Sequence, residues 1–315
     1  MDRLDIRILR ELFQGQTIWP ARPGLLASYR QVARSLGASP GTVRNRIQRW
    51  IRSGFLQGHA VYVNPKLLGL LSGSYAIEVS PALRKRDVIE ALGELDGVVF
   101  FENFRGNLLG LGVTYRDEAS LAVLLDRVDQ IARSERGVFS RVQHPPLAIV
   151  LTRPEWALIS RLMSGDFQTY PQLARELRIS VRTLKRRAAR LARSGAVLSY
   201  PRIDYRALEG GVTAELLLSF ASPDTRPSAE RTVRERLDDW SIFAGVWEEF
   251  DIFRLILPNV TIASELAEEV GRIEGVRFAR LEFVDGLIDR FEKLRSHLDV
   301  VLAQPRPPSK LIEAA

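Results

Sequence analysis

Hydrophobic positions recur at helical spacing near the start of the chain and again about 150 residues later. A recurrence every three or four residues is typical of an amphipathic helix with one buried face. Pro154 lies just before the second of these apolar stripes, and proline is well suited to the first turn of a helix. The pattern therefore predicts two similar first helices, whose apolar residues are Leu4, Ile8, Leu9, Leu12 and Phe13 in one and Trp156, Ile159, Leu162 and Met163 in the other.

The sequence that follows each stripe is also repeated. Residues 29–36 are echoed at 170–177, an offset of 141, and the register holds without a gap through Gly54 and Gly195. The offset is far longer than a solenoid repeat, so each copy is large enough to form small domains of its own. The chain is predicted to contain one module twice.

Each copy continues with a short helix, a tight turn and a longer helix, which copy one places at 40–53. Ser39 is a natural N-cap with Pro40 at the first helical position, Gly54 is a natural stop, and Ser180 and Gly195 repeat this punctuation. Apolar residues fall on one face of the longer helix and leave basic and amide residues outside. This arrangement predicts a helix-turn-helix, and a hairpin-like stretch at 55–63 and 196–203 is expected in the place of a wing.

The rest of each copy alternates strand-like and helical patterns in the order β-α-β-β-α-β, which is the ferredoxin-like order. The expected fold class is α+β, with two tandem copies of an N-terminal winged helix-turn-helix followed by a ferredoxin-like sandwich domain. A final helix is expected at 287–302 and a disordered tail at 304–315. The predicted domains are 1–65 and 150–206 for the helix-turn-helix units, 70–146 and 211–285 for the sandwiches, and 286–315 for the C-terminal helix and tail.

The positive charge of the chain lies in the repeated segment. The formal net charge is +7, but residues 29–59 alone carry +6 and residues 170–206 carry +8, so the remainder is acidic at −7. A concentration of cations of this kind is the electrostatic footprint of a polyanion binder.

Composition also excludes several kinds of chemistry. The chain has no cysteine, and its three histidines, His59, His144 and His297, show no metal-ligand spacing. We therefore expect no catalytic residue, no metal and no cofactor. There is no apolar run of the roughly 18 residues that a membrane span needs, and charges stand near the N-terminus where a signal peptide would be apolar, so a soluble, cytoplasmic protein without a membrane partner is expected.

Order, spacing and local strings together resemble the Lrp/AsnC family of leucine-responsive and asparagine-responsive regulators. "LDIRILREL" is similar to the family's opening helix, "SPGTVRNRIQRWIRSGFLQGHAVYVNPKLLGL" to its recognition helix and linker strand, and "SVRTLKRRAARLARSGAVLSYPRIDY" repeats this in copy two. The resemblance implies a non-enzymatic, sequence-specific transcription regulator that binds double-stranded DNA and responds to a small effector such as an amino acid. It also implies dimerising sandwich domains, and here either a homo-oligomer or a pseudodimer within one chain.

The candidate DNA contacts lie on the third helix of each copy. Amides and guanidinium groups near the start of such a helix contact base edges, and later arginines contact phosphates. Copy two has Arg186 where copy one has Asn45, which predicts either weaker base selectivity or a degenerate structural copy. The candidates are Ser39, Thr42, Arg44, Asn45, Arg46, Gln48 and Arg49, with Arg182, Thr183, Lys185, Arg186, Arg187 and Arg190.

The resemblance places an effector site near the turn between the second and third sandwich strands, where Gly and Asp recur in the family. Copy two keeps an Asp but has Glu where the Gly would be, and copy one keeps Gly106 with Asn in place of the Asp. The alternative for copy two is a solvated acidic turn. The candidate effector residues are Arg105, Asn107, Glu248, Glu249 and Asp251.

Two other functions stay open at this point. Enzymes that decarboxylate sirohaem resemble the same two-part architecture, so a decarboxylase is the main alternative, on fold analogy alone. In an architectural or protein-docking role, the helix-turn-helix units would only pack together.

Overall fold

The computed structural model describes residues 1–13, 29–142, 144, 147, 149–164, 170–246 and 250–303. These residues form a mixed α+β fold. Glu248, Glu249 and the expected tail at 304–315 lie outside the described residues. In the first half of the chain the elements are α1 (Arg3–Phe13), α2 (Tyr29–Ser35), α3 (Pro40–Arg52), β1 (Leu56–Val63), β2 (Leu71–Glu78), α4 (Lys85–Gly93), β3 (Val98–Phe104), β4 (Leu108–Tyr115), α5 (Glu118–Ala132) and β5 (Val138–Arg141).

The second half has its elements in the same order and ends with one further helix. The elements are α6 (Arg153–Ser164), α7 (Tyr170–Glu176), α8 (Val181–Arg193), β6 (Val197–Ile203), β7 (Val212–Phe220), α9 (Arg226–Leu237), β8 (Ser241–Val246), β9 (Asp251–Leu257), α10 (Val260–Gly271), β10 (Val276–Asp289) and α11 (Glu292–Ala303). Helix α11 begins five residues later than expected, because 287–289 continue strand β10.

Eight strands form one antiparallel sheet that runs through both halves. The strand order is β5-β2-β4-β3-β10-β7-β9-β8, so each half contributes four strands in the same relative order. The two halves meet where β10 pairs with β3, with Asp289 opposite Phe100 and Leu287 opposite Glu102. Apolar residues on one face of the sheet are covered by α4 and α5 in the first half and by α9 and α10 in the second.

The prediction of a wing hairpin in each half of the chain is wrong. Residues 56–63 and 197–203 are each a single strand, and β1 pairs with β6 in an antiparallel two-stranded sheet whose register runs from Leu56 opposite Ile203 to Val63 opposite Val197. Each strand satisfies its backbone groups with the strand of the other half rather than by folding back on itself. The three-helix groups α1–α3 and α6–α8, called the first and second units below, are therefore joined by hydrogen bonds between the strands that follow them.

Packing also crosses between the halves. The core of the first unit includes Ile203, Tyr205, Ile242 and Ile256 from the second half of the chain. The core of the second unit includes Val61, Val63 and Val99 from the first half, and is completed by Leu294 and Leu298 of α11. Each unit is thus held in place by the other half of the molecule.

None of the helices in the described part of the chain is long and apolar enough to cross a bilayer.

Candidate nucleic-acid interface

Helices α3 and α8 are defined by the same local chemistry. The Ser39 side chain accepts a hydrogen bond from the Thr42 amide at 3.0 Å, and Ser180 accepts one from Thr183 at 3.1 Å. These N-caps satisfy amides that have no partner within the helix. At the other end Gly54 has φ +77°, a left-handed conformation that glycine adopts without strain. The capping predicted from the sequence is confirmed.

One face of each longer helix is buried. Val43, Ile47 and Trp50 of α3 are buried, and so are Leu184, Ala188 and Leu191 of α8. The opposite face of α3 exposes Arg44 and Asn45, and that of α8 exposes Arg182, Lys185 and Arg186. The exposed face predicted for both helices is therefore present.

Three of the candidate arginines hold the units together internally. Arg46 donates to Asp5 at 2.7 Å and to Asp2 at 2.6 Å, and Arg49 donates to Asp5 at 3.1 Å. In the second unit Arg190 donates to Glu155 at 2.5 Å. Both Asp5 and Glu155 are only 2% exposed, so each buried carboxylate has an arginine as its counter-charge. Arg46, Arg49 and Arg190 thus link the third helix of each unit to its first helix.

The amide and hydroxyl candidates are only partly available. Gln48 is half-buried and its Nε2 donates to the Tyr29 hydroxyl at 3.2 Å, while the Thr42 and Thr183 hydroxyls contact the capping serines Ser39 and Ser180 at 2.9 Å. Asn45 is exposed. Among the candidates that carry an amide, Asn45 is the one best placed to meet a base edge.

The turn between β3 and β4 is closed by a lysine that the sequence analysis missed. Lys85 Nζ donates to the carbonyl oxygens of Phe104 at 2.6 Å, Gly106 at 3.2 Å and Leu108 at 2.5 Å. Burial lowers the pKa of Lys85 to about 8. The carbonyl groups that an amino group of an effector would seek at this turn are already bound by a side chain of the protein.

The described candidate effector residues lie at two separate places in the sheet, one in each half of the chain. Arg105 donates to Asp285 at 3.1 Å, and the carbonyl oxygen of Asn107 accepts from the Val79 amide at 2.9 Å. Asp251 begins β9, which β10 and β7 separate from β3.

Asp251 itself is fully buried. One carboxylate oxygen accepts from Arg226 at 2.5 Å, and the other has no hydrogen-bond partner among the described residues. Burial raises the pKa of Asp251, and the Arg226 guanidinium acts in the opposite direction. The Asp251 carboxylate is therefore already bound to a cation of the protein.

A buried ionic cluster joins the two halves of the sheet. Arg254 on β9 donates to Glu215 on β7 and to Glu102 on β3, and it lies 3.3 Å from the hydroxyl of Tyr205. Arg254 is 6% exposed and Glu215 is 2% exposed. Burial and the nearby Glu282 carboxylate raise the pKa of Glu215, while burial lowers the pKa of Arg254 to about 9. Burial thus favours the neutral form of Glu215 even though its side chain contacts a guanidinium.

Two other features are a small cavity and a buried histidine. A cavity of roughly 250 Å³ lies between the start of α1 and the residues just before β8, lined by Arg3, Asp239 and Trp240 among others. It is below the roughly 300–1,000 Å³ of typical ligand pockets. His144 contacts the Ser72 hydroxyl at 2.9 Å, and burial lowers its pKa to about 4. The described residues contain no group of three or more His, Cys, Asp or Glu able to hold a metal ion.

Comparison with known proteins identifies regulators among the relatives. No family model matches the chain. The HTH-type transcriptional regulator Ptr1 of Methanocaldococcus jannaschii is 33% identical over 100 residues, which cover 31% of this chain and 61% of that protein. An HTH-type transcriptional regulator of Pyrococcus abyssi is 28% identical over 149 residues, covering 45% of this chain and 88% of that protein. The match with Ptr1 thus spans about three fifths of that protein's length.

Among solved structures, the siroheme decarboxylase NirDL shares the fold over almost the full length. The alignment covers 96% of this chain and 100% of NirDL, with a TM-score of 0.52 and 16% sequence identity. At this identity the likeness concerns the fold. The sequence relatives are named HTH-type transcriptional regulators, in agreement with the resemblance to transcription regulators noted in the sequence.

Proposed function

We propose that this chain is a sequence-specific DNA-binding transcription regulator and not an enzyme. The observation that carries the proposal is the exposed basic face of α3 and α8, on which Arg44, Arg182, Lys185 and Arg186 have no acidic partner among the described residues. Cations that face solvent without counter-charges are available to phosphates. The helix-turn-helix regulators among the relatives support the same function.

We further propose that the chain is a tandem duplication that works as an intramolecular pseudodimer. The recurrence of elements and the pairing of β1 with β6 support two helix-turn-helix units, at 1–65 and 150–206. The sandwich domains would be 70–146 and 211–285, although β10 extends to Asp289 and α11 follows it within 286–315. The partner of both units is double-stranded DNA.

The proposal is tested by DNA binding as a function of salt. The probe is a pool of duplexes of about 30 base pairs with a randomised centre, long enough for two half-sites one helical turn apart. Fluorescence anisotropy should show binding that weakens with added NaCl, with a log-log slope of about −0.9 for each phosphate neutralised. The double variant Arg44→Ala, Arg186→Ala should bind more weakly at every salt concentration.

A matched variant controls for net charge. Arg231→Ala with Arg277→Ala removes two exposed arginines from α9 and β10, away from α3 and α8. It should bind like the unchanged protein. Equal losses in the two double variants, or binding that does not depend on salt, would overturn the proposed interface.

The second candidate function is an enzyme that acts on a sirohaem-like tetrapyrrole. The full-length fold match to NirDL favours it. Adding an iron tetrapyrrole to the purified chain and recording the absorption spectrum separates the two functions. A shifted absorption band that saturates at one equivalent would favour the enzyme, whereas the regulator predicts an unchanged spectrum.

A further inference from the structure

We propose that the two helix-turn-helix units divide the work of binding, so that the preferred partner is a non-palindromic duplex with one sequence-specific half. In this division α3 recognises bases and α8 anchors the flanking duplex through its phosphates. The inference rests on the proposed function and adds the class of DNA that the chain selects.

Equivalent positions of α3 and α8, which are 141 residues apart, carry different side chains. Position 45 is Asn in α3 and position 186 is Arg in α8, while Gln48 is matched by Ala189. An amide presents a donor and an acceptor together, which matches the edge of adenine in the major groove. Among the residues of the two helices, both amides lie on α3.

The arginines of α3 and α8 also differ in how many of them bind an acidic residue. In the first unit Asp2 and Asp5 hold Arg46, and Asp5 also holds Arg49. In the second unit the position of Asp2 is occupied by Thr152, whose backbone amide and hydroxyl donate to Glu155 at 2.9 and 2.8 Å. Arg190 is therefore the one arginine paired with Glu155 among the described residues, and Arg187, the counterpart of Arg46, has no acidic partner there.

These contacts leave the two helices with different charge. Among the described residues, α3 has two basic side chains without an acidic partner, and α8 has five. Each cation that meets a phosphate releases counterions and strengthens binding without regard to sequence. The basic side chains in question are Arg44 and Arg52 on α3, and Arg182, Lys185, Arg186, Arg187 and Arg193 on α8.

Helices α3 and α8 are held together within a single chain. The pairing of β1 with β6 and the packing of each helix-turn-helix core against the other half fix the two units within one chain. A symmetric homodimer presents two identical faces and selects a palindrome. A single chain with two different faces selects a site whose two halves differ.

The experiment begins with selection of duplexes from the randomised pool by the full-length chain. We expect a consensus constrained over one half-site, with the other half free in sequence. Because the chain has no cysteine, Ser53→Cys or Ser194→Cys introduces one attachment point for a DNA-cleaving iron chelate. These serines occupy matched C-cap positions of α3 and α8. Cleavage from position 53 should map to the constrained half and cleavage from position 194 to the free half.

Two variants separate base recognition from charge. Asn45→Ala should reduce the preference for the selected duplex over a scrambled one by about tenfold, the scale of one lost bidentate base contact, and leave the salt slope unchanged. Arg186→Ala with Arg187→Ala should make the salt slope shallower by about 1.8, at about 0.9 for each phosphate, and leave the preference unchanged.

A palindromic consensus, or an equal loss of preference in both variants, overturns the division of work while the proposed function stands. Absence of salt-dependent binding to any duplex overturns both.

Discussion

Asp5 and Glu155 each bind arginines of the third helix in their unit, and so decide which of those arginines have an acidic partner. They lie at equivalent positions of α1 and α6, and each is 2% exposed. A carboxylate buried to this extent is stable only when it is paired or hydrogen-bonded. Asp5 is paired with two arginines of α3, while Glu155 is paired with one arginine of α8 and bonded to Thr152. Asp5 therefore holds two arginines of α3 in internal ion pairs, whereas Glu155 holds one arginine of α8.

Arg46→Ala and Arg187→Ala remove equivalent side chains but should differ in their effect on the free energy of unfolding. Arg46→Ala should lower the free energy of unfolding by about 1–3 kcal/mol, because Asp5 would keep only the more exposed Arg49 as counter-charge. Arg187→Ala should change it by less than about 0.5 kcal/mol. Urea unfolding of the full chain measures both, and similar losses for the two variants would contradict the assigned role of Arg46.

Elements with local signals could be predicted from the sequence. Helix α3 was expected at 40–53 and is found at 40–52, because its cap serine, its proline and its terminal glycine lie within the helix or next to it. The expectation that β1 and β6 each form a hairpin is wrong, because the partner of each strand lies in the other half of the chain. The same limit applies to the site. The exposed cations follow from helical periodicity, but the pairing of Arg46 with Asp5 depends on a contact across 41 positions.

The β3–β4 turn is expected to depend on the Lys85 side chain. Lys85→Met removes the ammonium group that binds the carbonyl oxygens of Phe104, Gly106 and Leu108. Loss of this cap should loosen the turn and speed hydrogen exchange at the Arg105 amide, which donates to Phe283 at 2.8 Å. Arg84→Ala is the control, because Arg84 is exposed and its side chain makes no capping bond to α4. Unchanged exchange in Lys85→Met would show that the turn is held by its backbone alone.

At the scale of the whole molecule, the two halves are joined by a continuous sheet with a buried charge cluster near the junction. Arg254 reaches from the second half to Glu102 of the first, across β7 and β10. At the matching positions of the first half, the β2 and β4 registers place Ser74 opposite Gly112, where the second half has Glu215 opposite Arg254. No local pattern indicates this cluster, since its members come from three strands and both halves of the chain.

The cluster gives the last prediction, which is a pH dependence of stability. Burial and Glu282 raise the pKa of Glu215 to about 8, so folding takes up a proton at this carboxylate in the range between its ordinary pKa and about 8. The contribution of protonated Glu215 to the free energy of unfolding is complete below the ordinary pKa of a glutamate and is lost as the pH rises through about 8. Glu215→Gln keeps a neutral side chain at every pH. The melting temperature of the unchanged protein should therefore fall relative to that of Glu215→Gln between about pH 5 and pH 9.

The control for this prediction is Glu235→Gln, which makes the same chemical change at an exposed position of α9. Its melting temperature should run parallel to that of the unchanged protein over the same range, because a solvated carboxylate is replaced without a buried charge being lost. A difference between the unchanged protein and Glu215→Gln that stays constant with pH would show that Arg254 keeps Glu215 ionised throughout. Glu215 and Arg254 would then form a full ion pair at every pH tested, instead of a contact in which Glu215 is protonated near neutrality.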